Sequence, residues 1–89
     1  MPVAVEDQTR NALATIAAAL QEAGFEMADV VRARYYVTDR SFVQRVFPIL
    51  GEAFGEIRPA ATMIVCELNE PEMMIEIEVT ALRRDRGQT

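Results

Sequence analysis

The sequence contains no histidine and no lysine, and it has a single cysteine, Cys66. Without histidine, a structural zinc site has almost no ligands, and histidine-based acid-base catalysis is excluded. One cysteine cannot form an internal disulfide, which indicates a reducing compartment. Because no histidine is available to activate it, we interpret Cys66 as a buried structural thiol rather than as a nucleophile.

Glycine is also scarce, and the four glycines are scattered along the chain. The sequence has no phosphate-binding glycine loop, dinucleotide fingerprint or nucleophile elbow, so it predicts no cofactor. A calcium-binding D-x-D-x-D-G loop is missing as well. Carboxylates alone could hold a hard cation, but the pattern favours no bound metal.

Long apolar runs are missing, and the first residues lack the basic and apolar regions of a signal peptide. We therefore expect a cytoplasmic protein with no membrane partner. The net charge of −5 works against nucleic-acid binding, since affinity for phosphate backbones comes mostly from lysine and arginine.

The length of 89 residues predicts a single domain, residues 1–89, that ends in a polar tail at residues 83–89. A chain of this size buries only about 60 to 65% of its unfolded surface, which favours stabilisation by oligomerisation.

Two segments have apolar residues at helical spacing. Residues 6–23 form the first predicted helix, which Gly24 ends in a left-handed conformation. The second, residues 42–54, begins at a predicted capping box of Ser41 and Gln44 and runs to Gly55. Pro48 lies inside it, and we expect either a kink or a break with the regular helix starting near Pro48.

Three segments, residues 30–38, 60–68 and 74–82, have the alternation and residue types of strands. The last two are separated by a short polar loop, and we interpret them as a hairpin. The order helix, strand, helix, strand, strand predicts an α+β domain with both helices on one face of the sheet.

The alternation leaves one sheet face that the two helices cannot cover. It carries Arg32, Arg34 and Tyr36 from the first strand and Glu76, Glu78 and Thr80 from the last. One interpretation is a solvated face with weak cross-strand ion pairs. The other is a face buried against another copy of the chain, where a glutamate needs an arginine partner or takes up a proton. We favour a homo-oligomer.

Two motifs, RPAATM at residues 58–63 and IEIEVTA at residues 75–81, occur in this order after a helix and a strand of matching pattern. The combination resembles the RidA family, also called YjgF or endoribonuclease L-PSP, over residues 7–82. The resemblance implies a chorismate-mutase-like fold and a homotrimer with ligand clefts between subunits. It also implies hydrolysis of enamines and imines to 2-oxo acids, in which an arginine grips the substrate carboxylate and a glutamate positions the water.

Compared with that family residue by residue, the glutamate falls on Glu76, which the resemblance makes the catalytic candidate. The arginine is replaced by Ala61, and the cysteine that often follows is replaced by Met63; with Thr62 between them, these residues are the expected ligand-binding positions. A methyl group cannot form the bidentate pair that a guanidinium forms with a carboxylate. Arg34, which is predicted on the same sheet face as Glu76, is the better candidate to take the place of the missing arginine, and Arg58 is the poorer one. An asparagine of the family's second helix falls on Phe47.

The resemblance also implies a strand-rich segment before the first helix, which this sequence does not contain. We expect a naturally shortened member, an incomplete chain, or a partner strand that fills the sheet edge.

Three functions remain open. The leading hypothesis is a homotrimer that binds a small molecule, such as an imino or oxo acid, with altered or lost chemistry. The alternatives are an active deaminase that uses Arg34 or Arg58, and a non-catalytic ligand-sensing or interaction module. Ribonuclease activity is disfavoured by the acidic charge and the lack of histidine.

Overall fold

A computed structural model describes residues 4–83, and the predicted tail at residues 83–89 lies outside it except for Arg83. Residues 4–83 form two α-helices and three strands, with a short 3-10 helix, Met27–Asp29, before the first strand. The elements are α1 Val5–Glu22, β1 Val30–Val37, α2 Phe42–Phe54, β2 Ala60–Val65 and β3 Ile75–Ala81. The predicted α+β class is confirmed.

The first helix ends where the sequence predicts. Gly24 adopts a φ of 87°, a left-handed conformation that glycine reaches without steric cost. The amide of Phe25 donates to the carbonyl of Leu20 at 2.8 Å, and that of Gly24 donates to Gln21 at 3.1 Å. This pair of hydrogen bonds is the Schellman motif, which satisfies carbonyls that the helix end leaves free.

The second helix begins differently from the prediction. The side chain of Ser41 makes no capping hydrogen bond to the helix, so the predicted capping box with Gln44 is wrong. Instead, the Asp39 carboxylate accepts hydrogen bonds from the Ser41 amide at 2.8 Å and from the Ser41 hydroxyl at 2.7 Å. An aspartate side chain readily accepts a hydrogen bond from the backbone amide two residues later. The Ser41 hydroxyl donates to the same carboxylate and makes no hydrogen bond to the helix.

Pro48 does not break α2, because the helix is continuous from Phe42 to Phe54. The alternative of a regular helix starting near Pro48 is therefore wrong. The apolar face of this helix buries Val46, Ile49, Leu50 and Phe54, and that burial offsets the hydrogen bond that a proline removes.

The strand order is β2-β1-β3, so β2 and β3 do not pair and the predicted hairpin is wrong. The central strand β1 pairs with β2 in parallel and with β3 antiparallel. Local turn residues suggested the hairpin, but residues 66–74 are enough chain to pass from one side of β1 to the other. The central place goes to β1, which buries Val30, Ala33, Tyr35 and Val37.

Both helices pack on one face of the sheet. The core between them consists of buried apolar residues from the two α-helices, β1 and β3: Val5, Leu13, Val30, Ala33, Tyr35, Val37, Val46, Ile49, Leu50, Phe54 and Ile75. In β3, Ile75, Ile77 and Val79 face this core, whereas Glu76 and Glu78 are exposed on the opposite face. The predicted assignment of the two faces of β3 is confirmed. Across residues 4–83, neither helix is both long enough and apolar enough to cross a membrane.

Candidate functional site

The face of the sheet that the helices leave uncovered, which we call the open face, consists of three rows of side chains. The strand register aligns Ala60, Arg32 and Thr80 in the first row, Thr62, Arg34 and Glu78 in the second, and Ile64, Tyr36 and Glu76 in the third. Neighbouring rows lie on the same face because side chains alternate along a strand. Three of the predicted site residues, Arg34, Thr62 and Glu76, are thereby brought onto one surface.

The charges on the open face are only partly paired. The Tyr36 hydroxyl donates to a Glu78 carboxylate oxygen at 3.2 Å. Within residues 4–83, no hydrogen bond or ion pair involves the side chain of Glu76 or of Arg34. An exposed carboxylate and an exposed guanidinium one row apart are therefore free to bind a ligand or a second protein surface.

The other predicted site residues do not share this surface. Ala61 is the register partner of the buried Ala33, and Met63 is the partner of the buried Tyr35, so both point to the helix side of the edge strand. Arg58 precedes β2 with a φ of 53°, a left-handed conformation that is uncommon for a side-chain-bearing residue. A single chain therefore divides the predicted site between the two faces of β2.

Among the grooves of residues 4–83, two lie beside the strand ends. The first has a volume of about 530 Å³ and is lined by Thr38, Asp39, Phe42, residues 67–71, Met73 and Met74. The second, which we call the β2–α2 groove, has a volume of about 620 Å³ and is lined by Arg40, Ser41, Val43, Gln44, Met63 and Val65. Met63 is the predicted site residue that the β2–α2 groove contains.

Sequence reasoning missed Arg40, Val43, Gln44 and Val65 as candidate site residues. The signal for Val65 was present, because it is the next alternating position after Met63 on the same side of β2. The position of α2 relative to β2 had no local signal.

Two carboxylates near the second helix have perturbed pKa values. The Arg45 guanidinium holds the pKa of Glu6 at about 2, below its ordinary 4.5, through hydrogen bonds of 2.7 and 2.8 Å. The Ser41 hydroxyl and amide lower the pKa of Asp39. Both carboxylates are engaged in structural contacts, so neither is poised as a proton donor at neutral pH. In the described part of the chain, no cluster of three or more cysteine, aspartate or glutamate side chains could hold a metal ion.

A family model described as endoribonuclease L-PSP matches residues 1–83. A RutC family protein from Pyrococcus horikoshii is 32% identical over 79 residues, which cover 89% of this chain and 63% of that relative. The chain thus spans less than two thirds of the length of the curated relatives it matches.

Solved structures agree with this match. A member of the YjgF/YER057c/UK114 family from Mycobacterium tuberculosis superposes with a TM-score of 0.88 at 43% identity, covering 91% of this chain and 70% of the other. A Rid family protein of unknown function from Yersinia pestis gives a TM-score of 0.85 at 29% identity, over 91% of this chain and 65% of the other. The helices and strands described above are therefore arranged as in these proteins.

Proposed function

Because the chain belongs to the endoribonuclease L-PSP family, also called the RidA or YjgF family, we propose that it forms a homotrimer with small-molecule clefts between subunits. In this proposal Glu76 is the central polar residue of the cleft, and the ligand is a small imino or oxo acid. The fold itself is the chorismate-mutase-like fold of the family.

The observation that carries the proposal is the open face. It presents Glu76 and Arg34 without polar partners among residues 4–83, and it exposes 37% of Ile64 beside them. An apolar side chain in the same row as an unpaired carboxylate suits a surface that another copy of the chain covers.

We further propose that enamine and imine hydrolysis is lost or strongly reduced. In the family the position of Ala61 carries the arginine that holds the substrate carboxylate. A methyl group offers neither charge nor hydrogen-bond donors, so the substrate loses its bidentate anchor. Losing such contacts costs transition-state binding as well as ground-state binding.

A second candidate function is an active deaminase in which Arg34 replaces the missing arginine. The observation that favours it is the position of Arg34, which lies on the face of Glu76, one row away, with its guanidinium unpaired. Arg58 is less suited to this role because it precedes β2 and does not belong to the open face.

RNA cleavage, which the family description mentions, is not part of the proposal. The chain carries a net charge of −5 and has no lysine, whereas binding of a phosphate backbone requires a basic surface.

The test is hydrolysis of 2-iminobutanoate, generated in the assay by a threonine dehydratase. We expect the wild-type protein to leave the rate of imine loss at its uncatalysed value, and Ala61→Arg to raise it by at least about tenfold by restoring the bidentate pair. Glu76→Ala in the Ala61→Arg background should return the rate to the uncatalysed value.

The same assay separates the two candidates. A wild-type rate well above the uncatalysed one, lost in Arg34→Gln, would establish the second candidate and overturn the proposed loss of activity. Arg32→Gln is the matched control, because Arg32 is another exposed arginine on the same strand and face.

A further inference from the structure

The β2–α2 groove has an apolar wall and a basic end. Val43, Met63 and Val65 supply the wall, and Val65 keeps 47% of its surface exposed although it is a large apolar residue. Arg40, Ser41 and Gln44 supply the polar end, and no acidic side chain among residues 4–83 lines the groove. A volume of about 620 Å³ lies within the usual range for small-molecule sites.

The positive charge of Arg40 is available to a ligand. Within residues 4–83 its side chain makes no ion pair or hydrogen bond, whereas Arg10 pairs with Asp7 and Arg45 pairs with Glu6. The nearest carboxylate in sequence, Asp39, accepts hydrogen bonds from Ser41 and lines the other groove.

The start of α2 also lies at the polar end of the groove. A helix N-terminus carries a partial positive charge that acidic residues in the first turn usually offset. The first turn of α1 contains Glu6 and Asp7, but the first turn of α2 contains no acidic residue. The Asp39 carboxylate, which accepts hydrogen bonds from the Ser41 amide and hydroxyl, lies at this helix end and offsets its charge. The groove therefore combines a free guanidinium with an apolar wall.

We propose that the β2–α2 groove binds a small carboxylate with a short apolar chain, in which Arg40 holds the carboxylate and Val43, Met63 and Val65 contact the chain. This inference deepens the proposed function and rests on its statement that the ligand is a small imino or oxo acid. It assigns to Arg40 the contact that Ala61 cannot make.

The experiment is an NMR titration of the 15N-labelled protein with butanoate, which carries one carboxylate and a three-carbon chain. We expect saturable shifts at the amides of Ser41, Gln44, Met63 and Val65. Arg40→Gln should raise the Kd by about tenfold or more, since it removes a charged hydrogen-bonding partner. Arg32→Gln, which removes an exposed arginine from the open face, should leave the Kd unchanged.

Two further probes test the two halves of the groove. Propylammonium has the same three-carbon chain with the opposite charge and should cause no saturable shift. Val65→Asp adds a negative charge to the wall of the groove and should weaken butanoate binding in a protein that keeps Arg40.

A Kd that is equal in the wild type and in Arg40→Gln overturns the inference, and so do saturable shifts confined to the open face or no saturable shift at all. Sedimentation of the same samples tests the proposed assembly separately. If the protein is a trimer and Arg40→Gln does not change the Kd for butanoate, only the groove inference is contradicted. If it is a monomer that binds butanoate through Arg40, the proposed trimer is contradicted and the groove inference stands.

Discussion

Gln8 illustrates how one side chain can hold a long loop in place. Its amide nitrogen donates to the carbonyl of Glu72 at 2.8 Å, and its amide oxygen accepts from the backbone N–H of Met74 at 2.8 Å. Gln8 is only 7% exposed, so water cannot easily replace it. The Gln8 amide thus both donates to and accepts from the backbone, as a neighbouring strand would. It holds residues 72–74, which lead into β3 and Glu76, in place.

We expect Gln8→Leu to lower the free energy of unfolding by about 1 to 3 kcal/mol, because it leaves two backbone groups of the loop without their partner. Chemical denaturation measures the change. Gln21→Leu, at an exposed position of the same helix, is the control and should stay within about 0.5 kcal/mol of the wild type. Equal effects of the two substitutions would argue against the clamp.

The ion pair between Glu6 and Arg45 gives a prediction about pH. Because Arg45 lowers the pKa of Glu6 from 4.5 to about 2, the pair stabilises the folded state above pH 4.5, and this contribution disappears as the pH falls toward 2. A 13C NMR titration should find the Glu6 carboxylate still ionised at pH 3. Arg45→Met should return the pKa of Glu6 toward 4.5, and an unchanged titration in that variant would contradict the assignment.

Among the secondary-structure elements, each helix has a glycine whose backbone conformation matters: Gly24 follows the end of α1, and Gly51 lies within α2. Gly24 has a φ of 87° and closes the Schellman motif of α1, whereas Gly51 lies inside α2 with no atom within 4 Å of an added Cβ. The same substitution should therefore have opposite effects at the two positions.

Gly24→Ala should lower the free energy of unfolding by about 1 to 2 kcal/mol, since a Cβ disfavours the left-handed conformation. Gly51→Ala should raise it by about 0.5 to 1 kcal/mol, because alanine is the better helix former and space is available. Thermal unfolding followed by circular dichroism measures both changes. A stabilising Gly24→Ala would show that α1 does not depend on this C-terminal motif.

At the scale of the whole molecule, the open face determines the expected assembly. Ile64 lies in the row of Tyr36 and Glu76 and is an exposed large apolar residue of that face. Burial of this row against another subunit would remove Ile64 from water and give the free charges partners.

Ile64→Glu should weaken the homotrimer, because it places a second carboxylate in the row of Glu76 and removes apolar area from the contact. Analytical ultracentrifugation over a concentration series should show the shift toward monomer. Ala14→Glu, at an exposed position of α1, is the control and should leave the assembly unchanged. A wild-type protein that stays monomeric at micromolar concentration would overturn the proposed trimer.

Local patterns in the sequence determined the helices, the strands and the two faces of β3. Helical spacing, the glycine after α1 and the alternation of Ile75 to Ala81 depend only on neighbouring residues, so they were predicted correctly. The two motifs around Ala61 and Glu76 also sufficed to identify the family, because their order along the chain is specific.

The tertiary structure alone decided the strand order, the start of α2 and the composition of the grooves. Strand pairing depends on contacts between segments that are distant in sequence. Both β2 and β3 pair with β1, although the loop before β3 suggested that they pair with each other. The expected Ser41 cap is missing because the Ser41 amide and hydroxyl both donate to the Asp39 carboxylate. Arg40 lines the same groove as Met63 and Val65 only because α2 lies beside the edge strand β2. No local sequence pattern encodes the position of α2 relative to β2.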